Sequence, residues 1–396
     1  MTGISTSLNS GGGYQIGGTL STPKNLIFAG NFDTNPFTFY NATQVNGRVS
    51  DIASLTSTPG TSVADMFTMA GNNNLGQVIY GNNNSGFGIT QSCLSIANHV
   101  NADTVNANSF IVISTAVHVS SIQALQYTPL TLSFWVYTGV TGTYSVHILI
   151  NTYAGNPYQI CVPYTIAAIN TWQQVIITLP ACGFALGSND AKSAALGLQI
   201  DWCLMSGTDY TGSEISTWTE VTGSYQQFGV TGQVNQLAST SYGFFQLAQV
   251  QLEWGDTATQ FEILPAELVA KMCEQYIESN YSLASTFFGN PNIVPTSTSF
   301  PTRQVGSTLG GGVVNYKSNK ITGTYSTPNI LTYNSNNGTA GNVESTSTTG
   351  TTSSRTATIT GSYSGCFTFT YPVTNQYATC FYIVDYFSNN LTYTVA

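Results

Sequence analysis

Chemistry that moves protons needs carboxylates, imidazoles or activated nucleophiles, and this chain is poor in them. Only 6% of its 396 residues are charged. Its histidines, His99, His118 and His147, sit on or beside strand-like runs, and no two show the HxxxH spacing that lets one helix hold a metal. They read as satisfied core or surface histidines. No GxSxG elbow is present, so a lipase-type serine site has no support. The GNNN runs at 71–74 and 81–84 read as turns rather than phosphate cradles. Paired carboxylates for glycoside hydrolysis would have to come from Asp201, Asp209, Glu214 and Glu220, which cluster around the Trp202–Trp218 segment. Nothing in the sequence sets two of them at a working separation, and loop acids are usually just solvated. No catalytic site is expected.

Aromatic rings are the richer resource, at 12% of the chain. Tyr153, Tyr158, Trp218 and Tyr225 fall near expected loops, where a rigid ring offers contact area at low entropic cost. Trp218 reads equally well as structural. Trp135 and Trp172 lie in apolar strand runs and Trp254 lies beside a turn, so all three read as core.

The elements that must hold these rings are strands. After an apolar opening, NLIFAGNFDTNPF (25–37), come short runs separated by turn clusters, then TLSFWVYTG, TYSVHILINTY, QICVPYTI, TWQQVIITLP and ALGLQIDWCLM. Many short strands at near-regular spacing imply a sandwich. Residues 207–240 read as a long loop insertion, the usual place for binding on a rigid β scaffold. The clearest stretch is 244–281. FFQLAQVQLEW alternates, with Phe245, Leu247, Gln249, Gln251 and Glu253 on one face. Gly255-Asp256 turns the chain. Pro265 then opens a helix on which Leu268, Val269, Met272, Tyr276 and Ile277 share a face, and Glu267 and Lys271 form an i,i+4 pair.

The segment Val250, Gln251, Leu252, Glu253, Gly255, Ala258, Thr259, Phe261, Glu262, Pro265, Cys273, Tyr276 resembles the joint of phage-type fibre and receptor-binding proteins. There it links a jelly roll, similar to carbohydrate-binding modules, to a C-terminal β domain. Glu267-Leu268 comes two residues early for that pattern, and Ile277 replaces its second tyrosine. The opening at Asn25–Phe37 and the order of strands from Thr131 to Glu253 resemble the same modules. The resemblance implies an all-β chain: a jelly-roll β-sandwich, a short helix and a second, smaller C-terminal β-sandwich. The divisions are a Gly/Ser-rich arm at 1–24, the jelly roll at 25–262, a helical joint at 263–282 and the C-terminal β unit at 283–396. It implies sugar stacking on Tyr153, Tyr158, Trp218 and Tyr225. It also implies a structural Ca²⁺ near Asp33, although LAQV stands where the partner aspartate of the final strand would be.

Composition bounds the partners. A net charge of -9, with eight scattered Lys and Arg, argues against nucleic acid. No run approaches the roughly 18 apolar residues of a membrane span. The start MTGISTSLNSGGG has no basic region followed by an apolar run, so no signal peptide is expected. The Gly/Ser arm either docks on a neighbouring subunit or particle or packs on its own domain. Seven dispersed cysteines argue against a metal knuckle and against a dense disulfide framework; most read as small buried hydrophobes, with a Cys366–Cys380 bridge across neighbouring strands as the lesser alternative. The expectation is a virion surface subunit, a homo-oligomer and by resemblance a trimer, held to other virion proteins by its arm and attached to host-surface glycans. A purely structural cement protein and a glycan depolymerase are the alternatives.

Overall fold

The computed structural model describes residues 23–32, 61–71, 105–150, 156–186, 196–222, 226–236, 244–274 and 276, together with individual strands elsewhere up to Asp385; side chains are described within 23–276. The elements used below are β1 (Tyr14–Ile16), β2 (Thr19–Ser21), β3 (Arg48–Ile52), β4 (Thr61–Ala64), β5 (Phe67–Gly71), β6 (Val78–Asn83), β7 (Cys93–Asn98), β8 (Phe110–His118) and β9 (Leu130–Thr138). They continue with β10 (Gly142–Ile150), β11 (Tyr158–Ile166), β12 (Gln173–Leu179), β13 (Leu196–Ser206), β14 (Thr211–Gly212), β15 (Ile215–Glu220), β16 (Gly229–Val230), β17 (Phe244–Trp254) and the helix α1 (Ala266–Cys273).

Two antiparallel sheets make the main domain. One has seven strands in the order β15-β11-β10-β13-β8-β5-β4, the other six in the order β12-β9-β17-β7-β6-β3. Successive strands from β7 to β10 alternate between the sheets, and so do β11 to β13, so the chain winds around the core as a jelly roll. The fold is all-β, as the strand spacing implies. Twelve further strands from Ile277 to Asp385 form three four-stranded antiparallel sheets, the C-terminal β unit.

The core follows from period two. Leu130, Leu132, Phe134 and Val136 of β9 alternate inward, as do Leu198, Ile200, Trp202 and Leu204 of β13. Their rings meet between the sheets: Phe134 stands edge-on to Trp202 at 5.5 Å and to Tyr164 at 5.5 Å. Phe67 and Phe32 continue the chain of rings at 4.8 Å. Edge-to-face pairs of this kind add to what area burial alone supplies.

The joint works through backbone hydrogen bonds. Asn25 Oδ1 accepts from the N–H groups of Ile27 (2.9 Å) and Leu252 (3.0 Å), and Asn25 Nδ2 donates to Val250 O (3.0 Å). Glu262 accepts from the N–H groups of Lys24 and Asn25. Gln251 Oε1 accepts the N–H of Glu262, and Glu253 accepts both the N–H and the hydroxyl of Thr259 at 2.7 Å. Gln251, Glu253 and Glu262 of the VQLE…AT.FE segment thus each accept a backbone N–H at the joint. Gly30 faces β17 so closely that a Cβ would sit 2.2 Å from Val250 O. Only glycine admits that approach.

Two local expectations are corrected. The strand β17 does not alternate throughout: its register slips between Ala248 and Gln251, and Gln249 takes φ 49°. This bulge moves Val250 and Leu252 into the core after Phe245 and Leu247, and turns Gln251 and Glu253 outward to the joint. In the helix, Lys271 pairs with Glu274 rather than Glu267, because Glu267 sits exposed in the first turn while Glu274 lies near the other end. Val269, Cys273 and Tyr276 are its buried side, and Ile277 already belongs to a strand. Among the described residues, no helix is long and apolar enough to cross a membrane.

Candidate functional site

The outer face of the seven-stranded sheet carries a transverse polar row. Thr68, Ser114, Asp201, His147 and Cys161 are register partners across five adjacent strands. Asp201 Oδ2 lies 2.8 Å from His147 Nδ1, and its Oδ1 accepts from Ser114 Oγ at 2.5 Å and from Gln199 Nε2 at 3.0 Å. Both Asp201 and His147 are fully buried. Asp201 is therefore not the solvated loop acid that its sequence neighbourhood suggests. Its two oxygens are the acceptors of a buried network, in which His147 Nε2 is left without a partner among the described residues.

The row is buried because residues 207–222 and 226–236 are not an open loop. Strand β15 adds to the sheet edge by pairing with β11, and β16 lies across the face. The N–H of Val230 donates to Ser145 Oγ (2.9 Å), and Val234 N–H to Thr143 O (2.7 Å). Gln233 accepts from Ser145 Oγ and donates to Cys203 Sγ. Phe228 stacks on Phe110 at 4.9 Å and meets the His147 ring edge-on at 5.3 Å. Burial pushes the Cys203 thiol up to about 12 and raises that of Cys161 further. Both stay neutral, the inert state of a buried thiol.

What remains open is an aromatic ledge at the end of the sandwich where β11 begins. Tyr158 packs against Phe184 with centroids 4.4 Å apart. Trp218 lies half-buried on β15, and its indole N–H donates to Pro180 O at 2.8 Å, tying the edge of one sheet to the segment after β12 in the other. The N–H of Gly183 donates to Gln126 O, which sets Tyr127 beside that segment. Tyr127 is 80% exposed, the largest exposure among the large hydrophobic side chains described. Glu220, the register partner of Tyr158, accepts from Asn156 Nδ2 at 2.9 Å. The ledge thus offers ring faces beside an amide, a carboxylate and exposed threonines at 217 and 219.

Of the sequence-derived candidates, Tyr158 and Trp218 come together here. Tyr153, Tyr225 and Asp33 lie outside the described residues, as do His99 and the side chains of Cys366 and Cys380. No group of three or more His, Cys, Asp or Glu that could hold a metal occurs among the described residues. Tyr127 and Phe184 carry no sequence signal, since neither lies in a motif or a periodic run. Trp135 and Trp172 are half-buried on the outside of the six-stranded sheet, not in the core, because Phe134 and Val136 take the inward positions of β9. Trp172 packs on Tyr137 at 5.4 Å.

No family model matches the chain, and no curated protein matches it. Among solved structures it is similar to the enzymatically active domain of tailspike protein 4 of bacteriophage CBA120, at 12% identity over 58% of this chain and 21% of that one, TM-score 0.27. It is similar to a structure described as CBM4, at 13% identity over 56% of this chain and 99% of that one, TM-score 0.26. A third is the family 11 carbohydrate-binding module of Clostridium thermocellum, at 8% identity over 55% of this chain and all of that one, TM-score 0.25. The chain thus spans about a fifth, 21%, of the tailspike domain it matches. At these scores the likeness carries no functional weight, and the residues of the ledge must carry it instead.

Proposed function

We propose that this chain is a glycan-binding surface protein of a virus particle, and that the ledge of Tyr127, Tyr158, Phe184 and Trp218 is where sugar rings lie. The observation that carries this reading is Tyr127, an aromatic side chain 80% exposed, which follows Gln126 where that residue's carbonyl bonds Gly183, next in the chain to the Phe184 that packs on Tyr158. An exposed ring on a rigid scaffold costs little entropy to dock on, and an apolar sugar face fits it. The Asn156–Glu220 pair lies within the same edge and suits hydroxyl recognition. Each site is shallow, so useful attachment needs several copies, as a homo-oligomer on a particle supplies. A trimer is the first expectation, and the Gly/Ser arm at 1–24 is its link to other virion proteins. The sparse charge and the Val250–Tyr276 joint segment support the particle assignment.

Binding of the intact protein to a glycan array tests the ledge. Tyr127→Ala should lower the signal at least about tenfold, the equivalent of about 1.4 kcal/mol, with an unchanged melting temperature. Equal array signals from both proteins would remove the ledge from the reading. Labelling of purified particles with an antibody against residues 286–396 tests the location, and absence of label from every particle would remove the virion assignment.

A purely structural cementing role is the second reading. It is favoured by the closed face of the seven-stranded sheet, where the chain's own residues occupy the surface. Unaltered attachment of particles to host cells after Tyr127→Ala and Trp218→Ala would support it. A depolymerase gains nothing from Asp201, whose oxygens are all engaged.

A further inference from the structure

The covering segment creates a second concavity at the opposite end of the seven-stranded sheet. Tyr158 is the register partner of Ile150, which pairs in turn with Leu198, so the ledge stands where β13 begins. The second concavity lies where β13 ends at Ser206, roughly 25 Å away at about 3.3 Å per residue. Its volume is about 240 Å³. That is below the roughly 300–1,000 Å³ of pockets that take drug-sized ligands. It has room for one small molecule, not for an oligosaccharide.

The lining divides into walls and free groups. Ser206 and Thr211 hydroxyls bond each other at 2.8 Å, and Thr211 Oγ1 also donates to Gly207 O. Gln233 is engaged at both ends of its amide. Asn235 Oδ1 accepts from the N–H of Ser206. These contacts hold the walls. The side-chain amide of Asn106, the hydroxyl of Thr208 and Nδ2 of Asn235 have no partner among the described residues, and each comes from a different segment around the cleft. Gly229 brings β16 close enough to form the roof, since a Cβ there would meet Ser206 Oγ at 2.1 Å.

The chemistry of the lining selects the ligand. It contains no ionisable side chain, so a charged ligand would be desolvated without a counter-charge. Hydroxyl and amide groups from three segments stand among its apolar surfaces, so a purely apolar ligand would cover donors without pairing them. Val105 and Val230 give one apolar flank. We infer that this cleft is a separate binding site for a single neutral, polyhydroxylated molecule of the size of one sugar ring, held by Asn106, Thr208 and Asn235. It is independent of the ledge and does not require the ledge to bind anything.

Saturation-transfer NMR on the full chain tests it, with a panel of methyl glycosides of glucose, galactose, mannose and N-acetylglucosamine, and glucuronate as the charged probe. The expected result is transfer to at least one neutral glycoside, reduced at least about tenfold in Thr208→Trp. Thr208 is exposed, so the indole fills the cleft without disturbing the core. Asn106→Leu, which keeps the volume and removes the amide, should lower transfer in the same way, and glucuronate should show little. Thermal melts equal to wild type establish that both variants fold. Transfer to no glycoside overturns the proposal, as does transfer that survives both variants in folded protein. Transfer that survives them but is lost in Tyr127→Ala places the sugar on the ledge, so that the cleft proposal fails while the proposed function stands.

Discussion

The two sheets present their outer faces differently. On the seven-stranded sheet, Ser114, Asp201, His147 and Cys161 form a polar row that no water reaches. On the six-stranded sheet, Trp135, Tyr137, Gln174 and Ile176 stand outward and remain half-buried or exposed, with Ile176 53% exposed. A residue-by-residue reading would assign the polar row to the surface and the aromatic one to the core. The assignment reverses because residues 226–236 lie across the face of the seven-stranded sheet. Cover is decided by where the chain goes next, and on the covered face Asp201 takes up Ser114, His147 and Gln199 as its partners. The uncovered face can carry rings that a short strand exposes at little cost.

The comparison breaks most visibly if the cover is loosened. Phe228→Ala removes a fully buried ring that contacts Phe110, Tyr210 and His147. It should destabilise the domain by about 3–5 kcal/mol in urea unfolding. Alkylation of Cys161 and Cys203, blocked in the wild type, should become measurable before global unfolding. A change below about 1 kcal/mol would mean the segment rests on the face without being packed there. The alkaline limb comes next. Burial raises the folded Cys203 thiol from 9.0 to about 12, and burial likewise raises the Tyr144 hydroxyl from 10.0 to about 12 despite its bond to Thr138. Unfolded chains lose these protons first. Stability from this source is therefore intact below pH 9 and falls as pH rises toward 12. Cys203 alone accounts for on the order of 2–3 kcal/mol by about pH 11. In Cys203→Ala the limb should flatten, and an unchanged slope would show that water reaches the thiol.

Much of the architecture was legible because period two is a local signal. TLSFWVYT puts its inward residues where alternation requires, and LGLQIDWCLM does so from Leu198 to Trp202, before its register slips between Cys203 and Met205. The joint was legible because its polar letters close nearby backbone groups at fixed spacing. The bulge at Gln249 was not, since a positive φ there follows from the approach of residues 25–30, more than 200 positions earlier. Asp201 was misplaced for the same reason: its partners Ser114 and His147 are 87 and 54 residues away. The ledge was half legible. Tyr158 and Trp218 are marked by type and loop position, whereas Tyr127 and Phe184 join them through the Cys182–Leu125 and Gly183–Gln126 backbone hydrogen bonds and the fold of the 180–186 segment.

Two small effects sharpen the contrast. Trp218→Phe keeps a ring at the sheet edge and removes the donor to Pro180 O. It should cost about 1 kcal/mol, the usual net worth of such a bond, and leave glycan binding largely intact if sugars meet the ring face. Binding lost together with the bond would mean that the tie between the sheets shapes the ledge. The smallest effect belongs to Ile176→Ser. Ile176 points away from the core from an edge strand, between Val175 and Ile177, which turn inward. Because its side chain is already 53% in water, the exchange should change stability by no more than about 0.5 kcal/mol in urea. A similar swap at fully buried Ile200 on β13 would bury an unpaired hydroxyl and leave a cavity, at a cost of several kcal/mol by the same estimate. A loss above about 2 kcal/mol at Ile176 would show that this face too is covered, for instance by a second copy of the chain. A concentration-dependent melting temperature would then be the deciding observation.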